Sequence, residues 1–260
     1  MIDQFKNLKR YSFLLQELVK KGIKLKYRRS YLGILWSMLE PLLYMIVLTI
    51  VFGTLLGHDE KSYPVYILSG RLLYSFFNGA TKSCLTSIRK NAGMIKKVYV
   101  PKYIYPMSCV LIDFAIFLLS LPVLFVVSLV LGVYPSVSTL FCIIPLLNLL
   151  MLTYGVGMIL ATVGVFFRDM EYIWSVATTL IMYLSAIFYK PERIFKHGGM
   201  AVYMLKVNPL FDIIDNFRSG IFGESINWHY TLYSTVFAVV SLIIGLFVFK
   251  KRQDDFILHL

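Results

Sequence analysis

At 260 residues the chain is 58% hydrophobic and only 15% charged, with a mean hydropathy of +0.72. A soluble domain carries about 25% charged residues, so a water-covered globule is excluded and lipid must cover much of the surface. The formal net charge of +12 would point to nucleic acid in a soluble protein; here the basic residues flank apolar runs, so anionic headgroups and membrane topology account for them.

The first 34 residues carry nine basic side chains and no apolar run of signal-peptide type. Leu8, Tyr11, Leu15, Leu18 and Leu25 recur at helical spacing, with Lys6, Lys9, Lys20 and Lys24 between them. This predicts an amphipathic interfacial helix over residues 1–34, on the cytoplasmic side; a solvated charged tail is the other reading. From residue 35 to 260 the pattern is that of one all-α integral membrane domain. A helix rises about 1.5 Å per residue, so about 20 apolar residues cross the hydrocarbon. Six runs are predicted to cross: Leu35–Leu56, Val65–Ser83, Tyr103–Val133, Val137–Phe167, Met170–Tyr189 and Tyr230–Phe249. Pro122 and Pro145 are candidate kinks in the long third and fourth.

Orientation follows from Lys and Arg. Nine lie before the first span, six between Lys82 and Lys102, one at Arg168 and three at Lys250–Arg252: 19 of the 26 fall on one side. The positive-inside rule makes that side the cytoplasm, with both termini there. Residues 190–229 form an external segment with helical character. Asn208 is a predicted N-cap and Pro209 the first helical residue; Asp212 and Asp215 sit near the positive helix end, and Gly220 or Gly223 ends it. No internal repeat is visible, which argues against a secondary transporter built from inverted repeats.

There is no G-x-x-x-x-G-K-[ST] loop and no H-E-x-x-H. No ATP site and no metal site are therefore expected on this chain, and Cys84, Cys109 and Cys142 read as small buried hydrophobes. The acids inside the runs are few: Glu40 and Asp113, with Asp169 and Glu171 at an edge. That is thin support for a proton path and for an integral membrane transferase, which needs a clustered catalytic set.

Three stretches stand out. Arg28-Arg29-Ser30-Tyr31-Leu32-Gly33 leads through Trp36 to Glu40-Pro41; composition alone reads it as a membrane anchor. Between Asn91 and Pro101, Met94, Ile95, Val98 and Tyr99 form an apolar patch on a short helix beside Lys96 and Lys97. Exposed to water such a patch is unfavourable, so it docks either on a partner or on the N-terminal helix. At Phe166-Phe167-Arg168-Asp169 the chain turns between the fourth and fifth spans, where Arg168 and Asp169 are placed to pair; a simple interfacial turn is the other reading.

Tyr27, Ser30, Leu32, Gly33, Trp36 and Pro41, then Asn91 through Pro101 to Pro106, then Arg168-Asp169, then Asn208-Pro209 and Arg218 stand in an order that resembles the type-2 ABC exporter membrane subunit. The resemblance covers nearly the whole chain and lies nearest the branch that exports lipid-linked polysaccharides such as O-antigen and teichoic acid. It implies a homodimer of six-span subunits with two copies of a separate ATPase subunit beneath, which would bind the ATP and Mg. It implies that Asn91, Met94, Ile95, Lys97, Val98, Tyr99 and Pro101 form a coupling helix to that partner. It also implies that the first and fifth spans line a channel, with Trp36 and Tyr44 on the first. On the fifth, Trp174, Thr178, Met182, Ser185 and Tyr189 fall near one helical face; belt aromatics and helix-packing residues are the other reading. The branches for capsular polysaccharide and for small molecules or drugs stay open at this stage.

Overall fold

The computed structural model describes residues 11–28, 30–56, 60–98, 100–192, 195 and 198–259. Lys6, Leu8, Lys9, Arg29 and Tyr99, all named above, lie outside these. Among the described residues all regular structure is helical. The chain runs through α1 (Ser12–Tyr27), α2 (Trp36–Leu56), α3 (Tyr63–Lys90), α4 (Ala92–Ile95), α5 (Ile104–Val130), α6 (Ile143–Phe166), α7 (Met170–Tyr183), α8 (Met200–Val207), α9 (Pro209–Phe222), α10 (Trp228–Arg252) and α11 (Phe256–His259). Among the described residues four stretches, Gly33–Gly53, Ile104–Val130, Val137–Phe166 and Trp228–Arg252, are long and apolar enough to cross a membrane.

The bundle is organised around α3 and α6. Helix α3 buries Leu68, Leu72, Leu73, Phe76, Phe77, Ala80 and Cys84 against α5 and α6. Helix α2 instead leaves Leu43, Val47 and Ile50 outside, as α7 does Tyr172, Ile173, Val176 and Leu180, and α10 does Val236, Ile243 and Phe247. Apolar faces of this extent belong in lipid or against another chain. The most extensive helix pair is α6 with α10. A Cβ on Gly155 would lie 2.5 Å from the backbone nitrogen of Leu242, and Gly245 meets the Gly155 backbone in turn. Small residues allow this approach, and Asn148 donates across the same seam to Thr235 Oγ1 at 2.8 Å.

Helices stand at all six predicted runs with altered ends, but α3 and α7 are not among the four stretches long and apolar enough to cross. Helix α3 extends the second to 28 residues. The fourth begins with a 3-10 turn, Val137–Cys142, and Pro145 sits in the first turn of α6, where an N–H is commonly left unpaired. Pro41 is inside α2. Having no N–H, it leaves the Ser37 carbonyl free, and Ser120 Oγ on α5 donates to that carbonyl at 2.7 Å.

The largest correction concerns the fifth run. The helix stops at Tyr183, six residues before its predicted end. Fourteen residues rise about 21 Å, short of the about 30 Å of hydrocarbon. The chain then turns through Ala186, whose φ of 47° is in the left-handed region. Ser185 and Tyr189 are therefore off the helix.

Helix α1 packs against α5. Tyr11, Leu14, Leu15 and Leu18 cover a cluster built from Ile88, Ile95, Ile104, Phe249 and Phe256. Leu25, assigned to the same stripe, is exposed: at the far end of α1 the contact is made by charge, as described next.

Candidate functional site

Two ends of the bundle carry the polar chemistry. At the basic end, Lys26 of α1 donates from Nζ to Asp113 Oδ1 on α5 at 3.0 Å, and Ser83 Oγ on α3 donates to the other carboxylate oxygen at 3.1 Å. Asp113 is thus fully engaged, and its charge is cancelled within the fold. Glu40 and Tyr44 of α2 line the cavity beside it, with Lys26 and Asp113. Trp36 is exposed at the start of α2, one turn after Gly33, whose φ is +52°. Arg28 follows directly on α1 as its C-cap.

The loop after α3 is short and tightly hydrogen-bonded. Asn91 donates from Nδ2 to the Ser87 carbonyl at 2.7 Å, and its own carbonyl accepts from the N–H groups of Met94 and Ile95. The Pro101 carbonyl accepts from Ile104 at 3.1 Å, starting α5. The predicted patch divides. Ile95 is buried in the cluster under α1, so it holds the loop to its own chain. Met94 and Val98 are exposed, as is Lys97. A helix of four residues turns fast enough to aim neighbours in opposite directions, and no local signal in the sequence said which way each would point.

The Arg168–Asp169 pair is not made among the described residues. Instead Arg89 at the end of α3 pairs with Glu171 in the first turn of α7. The Asp169 carbonyl starts α7 by accepting from Tyr172 and Ile173. Of the fifth-run residues, Trp174, Thr178 and Met182 share one face, and that face is turned to α3. Trp174 Nε1 donates to Thr81 Oγ1 at 3.0 Å, the Thr178 carbonyl accepts from Tyr74, and Met182 Sδ is met by Arg71. Thr178 and Ser185 are buried within the chain. The reason is chemical: in apolar surroundings polar atoms find partners on the neighbouring helix.

At the opposite end the chain seals the break after α7. Six carbonyls that a continuing helix would have satisfied, those of Tyr183, Leu184, Ala186, Ile187, Phe188 and Tyr189, are met by side chains. Tyr63 donates to Phe188 at 2.7 Å, and Tyr66 to Ala186 at 3.1 Å and Tyr189 at 2.9 Å. Asn208 donates to Leu184 at 3.0 Å, and Tyr189 to Tyr183 at 2.7 Å. Arg218 on α9 is 3% exposed and donates to Ala186 at 2.9 Å, Tyr66 at 3.0 Å and Ile187 at 3.2 Å, with its guanidinium 3.4 Å over the Tyr66 ring. Irregular backbone at membrane depth is tolerated where protein satisfies it in this way. Helix α9 forms as its sequence dictates. Asn208 accepts from the Leu210 N–H at 3.1 Å, Pro209 is the first residue, and Gly223 ends it at φ 76°.

A family model described as ABC-2 type transporter matches residues 14–222. The chain belongs to the ABC-2 type transporter family. Over 245 residues it is 29% identical to an O-antigen export system permease protein, RfbA, of Klebsiella pneumoniae, covering 94% of this chain and 93% of that protein. It is 27% identical over 259 residues to the RfbA of Myxococcus xanthus, 98% of each chain. To the polysialic acid transport protein KpsM of Escherichia coli it is 24% identical over 243 residues, 92% of this chain and 93% of that one.

In this ABC-2 type transporter chain, a multi-pass membrane protein, α9 also holds a carboxyl that sequence reading had treated as a helix-end charge. Asp212 is 1% exposed and its Oδ1 has no partner. Burial, and then the neighbouring Asp215, push its pKa up to about 8. Burial likewise lifts Asp215 to about 6, against the opposing pull of Arg218. Below about pH 4 the Asp212 carboxyl is protonated both folded and unfolded, so it contributes no pH dependence. Between about pH 4 and 8 the unfolded chain releases the proton that the fold retains, so stability falls as pH rises. Asp212→Asn keeps the shape and removes the ionisation. Its thermal midpoint in detergent is expected to exceed that of the parent by an amount that grows from pH 5 to pH 8, corresponding to about 1–3 kcal/mol at the upper end. Equal midpoints at both pH values would contradict the assignment.

Proposed function

We propose that this chain is the membrane-spanning subunit of an ATP-driven exporter that moves a lipid-linked polysaccharide, of O-antigen or teichoic-acid type, across the bacterial cytoplasmic membrane. The observation that carries the reading is similarity along nearly the full chain to O-antigen export permeases, in a sequence with no phosphate-binding loop of its own. Two copies of the chain form the translocator, and two copies of a separate ATPase subunit supply the energy with ATP and Mg. Six segments cross the membrane: α2, α3, α5, α6 with its leading turn, α7 with the sealed stretch after it, and α10. The basic end faces the cytoplasm, together with both termini and the interfacial helix α1, which ends the segment 1–34. The translocating domain is residues 35–260, with α8 and α9 outside. The capsular reading is favoured by one further observation, the similarity to KpsM and to the capsule export protein CtrC of Neisseria meningitidis. Deleting the gene distinguishes these cases. A lipid-linked O-antigen, teichoic-acid or capsular polymer accumulates inside the cell according to which is exported, and accumulation of none would refute the polysaccharide reading.

The loop from Asn91 to Pro101 is the coupling element. Met94 and Val98 are its greasy outward contacts, with Lys97 beside them, while Ile95 fixes it to the bundle. The exposure of Met94 and Val98 on the basic end supports this. Replacing both by Asp introduces charge into the docking surface. Copurification of the ATPase subunit is expected to drop about tenfold or more, equivalent to at least ~1.4 kcal/mol, with the thermal midpoint of the chain itself unchanged. Ile95→Ala has the reverse profile, a lower midpoint from the cavity it leaves. Retained copurification of the double Asp variant would place the ATPase contact elsewhere.

A further inference from the structure

The cavity between α1, α2, α3 and α5 has a volume of about 290 Å³ and is walled by Lys26, Glu40, Tyr44, Arg71, Asn78 and Asp113 among others. Its charges do not cancel pairwise. Lys26 and Asp113 neutralise each other at 3.0 Å. Arg71 has no carboxylate partner among the described residues: its Nη1 reaches only the Met182 sulfur at 3.7 Å, and its Nε is buried without a partner. The guanidinium lies 4.6 Å from the Tyr44 ring centre and 5.7 Å from that of Tyr74, which holds its plane without supplying a counter-charge. Arg71 stands eight residues in from the Tyr63 end of a 28-residue helix, about 12 Å of rise. A cation at that depth is costly unless an anion meets it. Asn78, two turns along the same face of α3, has a buried Oδ1 with no donor. Glu40, one turn before Tyr44, has no cationic partner among the described residues.

We propose that this cavity binds the phosphate group of an amphiphile, with Arg71 as its counter-charge. A guanidinium forks onto two phosphate oxygens, which makes Arg the residue suited to this contact. Glu40 and the Asn78 oxygen accept hydrogen bonds, so the group attached to the phosphate is a donor: a sugar hydroxyl or an ethanolamine ammonium. Two sources share that chemistry. One is a polyprenyl diphosphate sugar, the carrier end of an exported glycan, and this source rests on the function proposed above. The other is phosphatidylethanolamine of the surrounding bilayer, which does not.

Native mass spectrometry of the purified full-length chain, titrated with phosphatidylethanolamine, with undecaprenyl diphosphate N-acetylglucosamine and with undecaprenol, tests the site without any ATPase. At least one phosphate-bearing lipid is expected to bind about tenfold tighter than undecaprenol. Arg71→Gln is expected to abolish that difference, and Arg71→Lys to keep part of it. Asn78→Asp, which leaves Arg71 in place and adds a negative wall, is expected to weaken it as well. Lys190→Gln, at the opposite end, is expected to leave it intact. Preference for the diphosphate sugar identifies the occupant as cargo, and preference for phosphatidylethanolamine identifies it as a resident lipid; both uphold the site. Absence of any phosphate preference in the parent chain, or an unchanged preference in folded Arg71→Gln and Asn78→Asp, overturns it. Either result leaves the polymer-accumulation test of export untouched, so the two ideas fail separately.

Discussion

Arg218→Leu is expected to destabilise the chain by about 3–5 kcal/mol and to abolish export. Leucine fills much of the same space, yet it leaves the Ile187 carbonyl without the donor that meets it at 3.2 Å and strips one of two side-chain donors from the carbonyls of Ala186, met at 2.9 Å, and Tyr66, met at 3.0 Å. The Ala186 and Ile187 carbonyls follow a helix that has already ended, so no helical backbone N–H is available to replace the lost bonds. The Tyr66 ring also loses the cation stacked on it at 3.4 Å. Arg218→Lys should fall between parent and leucine variant, because one ammonium cannot fork to three acceptors. Thermal midpoints in detergent, with surface delivery of polymer scored in cells, provide the measurement. A leucine variant as stable as the parent would mean that water, rather than α9, satisfies the break.

Gly155→Val should have an equally large effect, at the other structural centre. The first added carbon would stand 2.5 Å from the Leu242 nitrogen and 2.6 Å from the Ser241 carbonyl carbon, both backbone atoms that no side-chain rotation can move. Helices α6 and α10 must then separate along their whole seam, breaking the Asn148 bond to Thr235. Overpacking of this kind costs about 1–3 kcal/mol where side chains can yield, and more here. The expected result is loss of folded protein from the membrane fraction, with Gly155→Ala partly retained. Normal accumulation and an unchanged midpoint for the valine variant would show that the two helices do not depend on this approach.

Much of this architecture was legible because its causes are local. An apolar run long enough to cross reads as a span, and Asn208-Pro209 reads as a helix start because both the cap and the fixed φ of proline act within one turn. The fifth run was misread for the opposite reason. Leu184–Tyr189 is as apolar as the helix before it, so hydropathy carries on smoothly through the break. What ends the helix is held by Arg218, Tyr63, Tyr66 and Asn208, donors far away along the chain. The same holds at the basic end. Lys26 and Asp113 are 87 residues apart, and nothing in either neighbourhood announces their pairing. Arg168 and Asp169, adjacent in sequence, looked the more natural couple, yet Arg89 and Glu171 make the bridge. Arg71 was passed over altogether. Its signal was present in the sequence, a cation well inside the second run, whereas Lys82 stands at that run's end.

The truncated α7 has a mechanical consequence. A cylinder of about 21 Å cannot match a slab of about 30 Å, so wherever lipid rather than a second chain lies against its exposed flank of Tyr172, Ile173, Val176 and Leu180, that lipid must bow inward. Such a dimple shortens the oily distance that a hydrated head must travel. This deformation needs no nucleotide to create it.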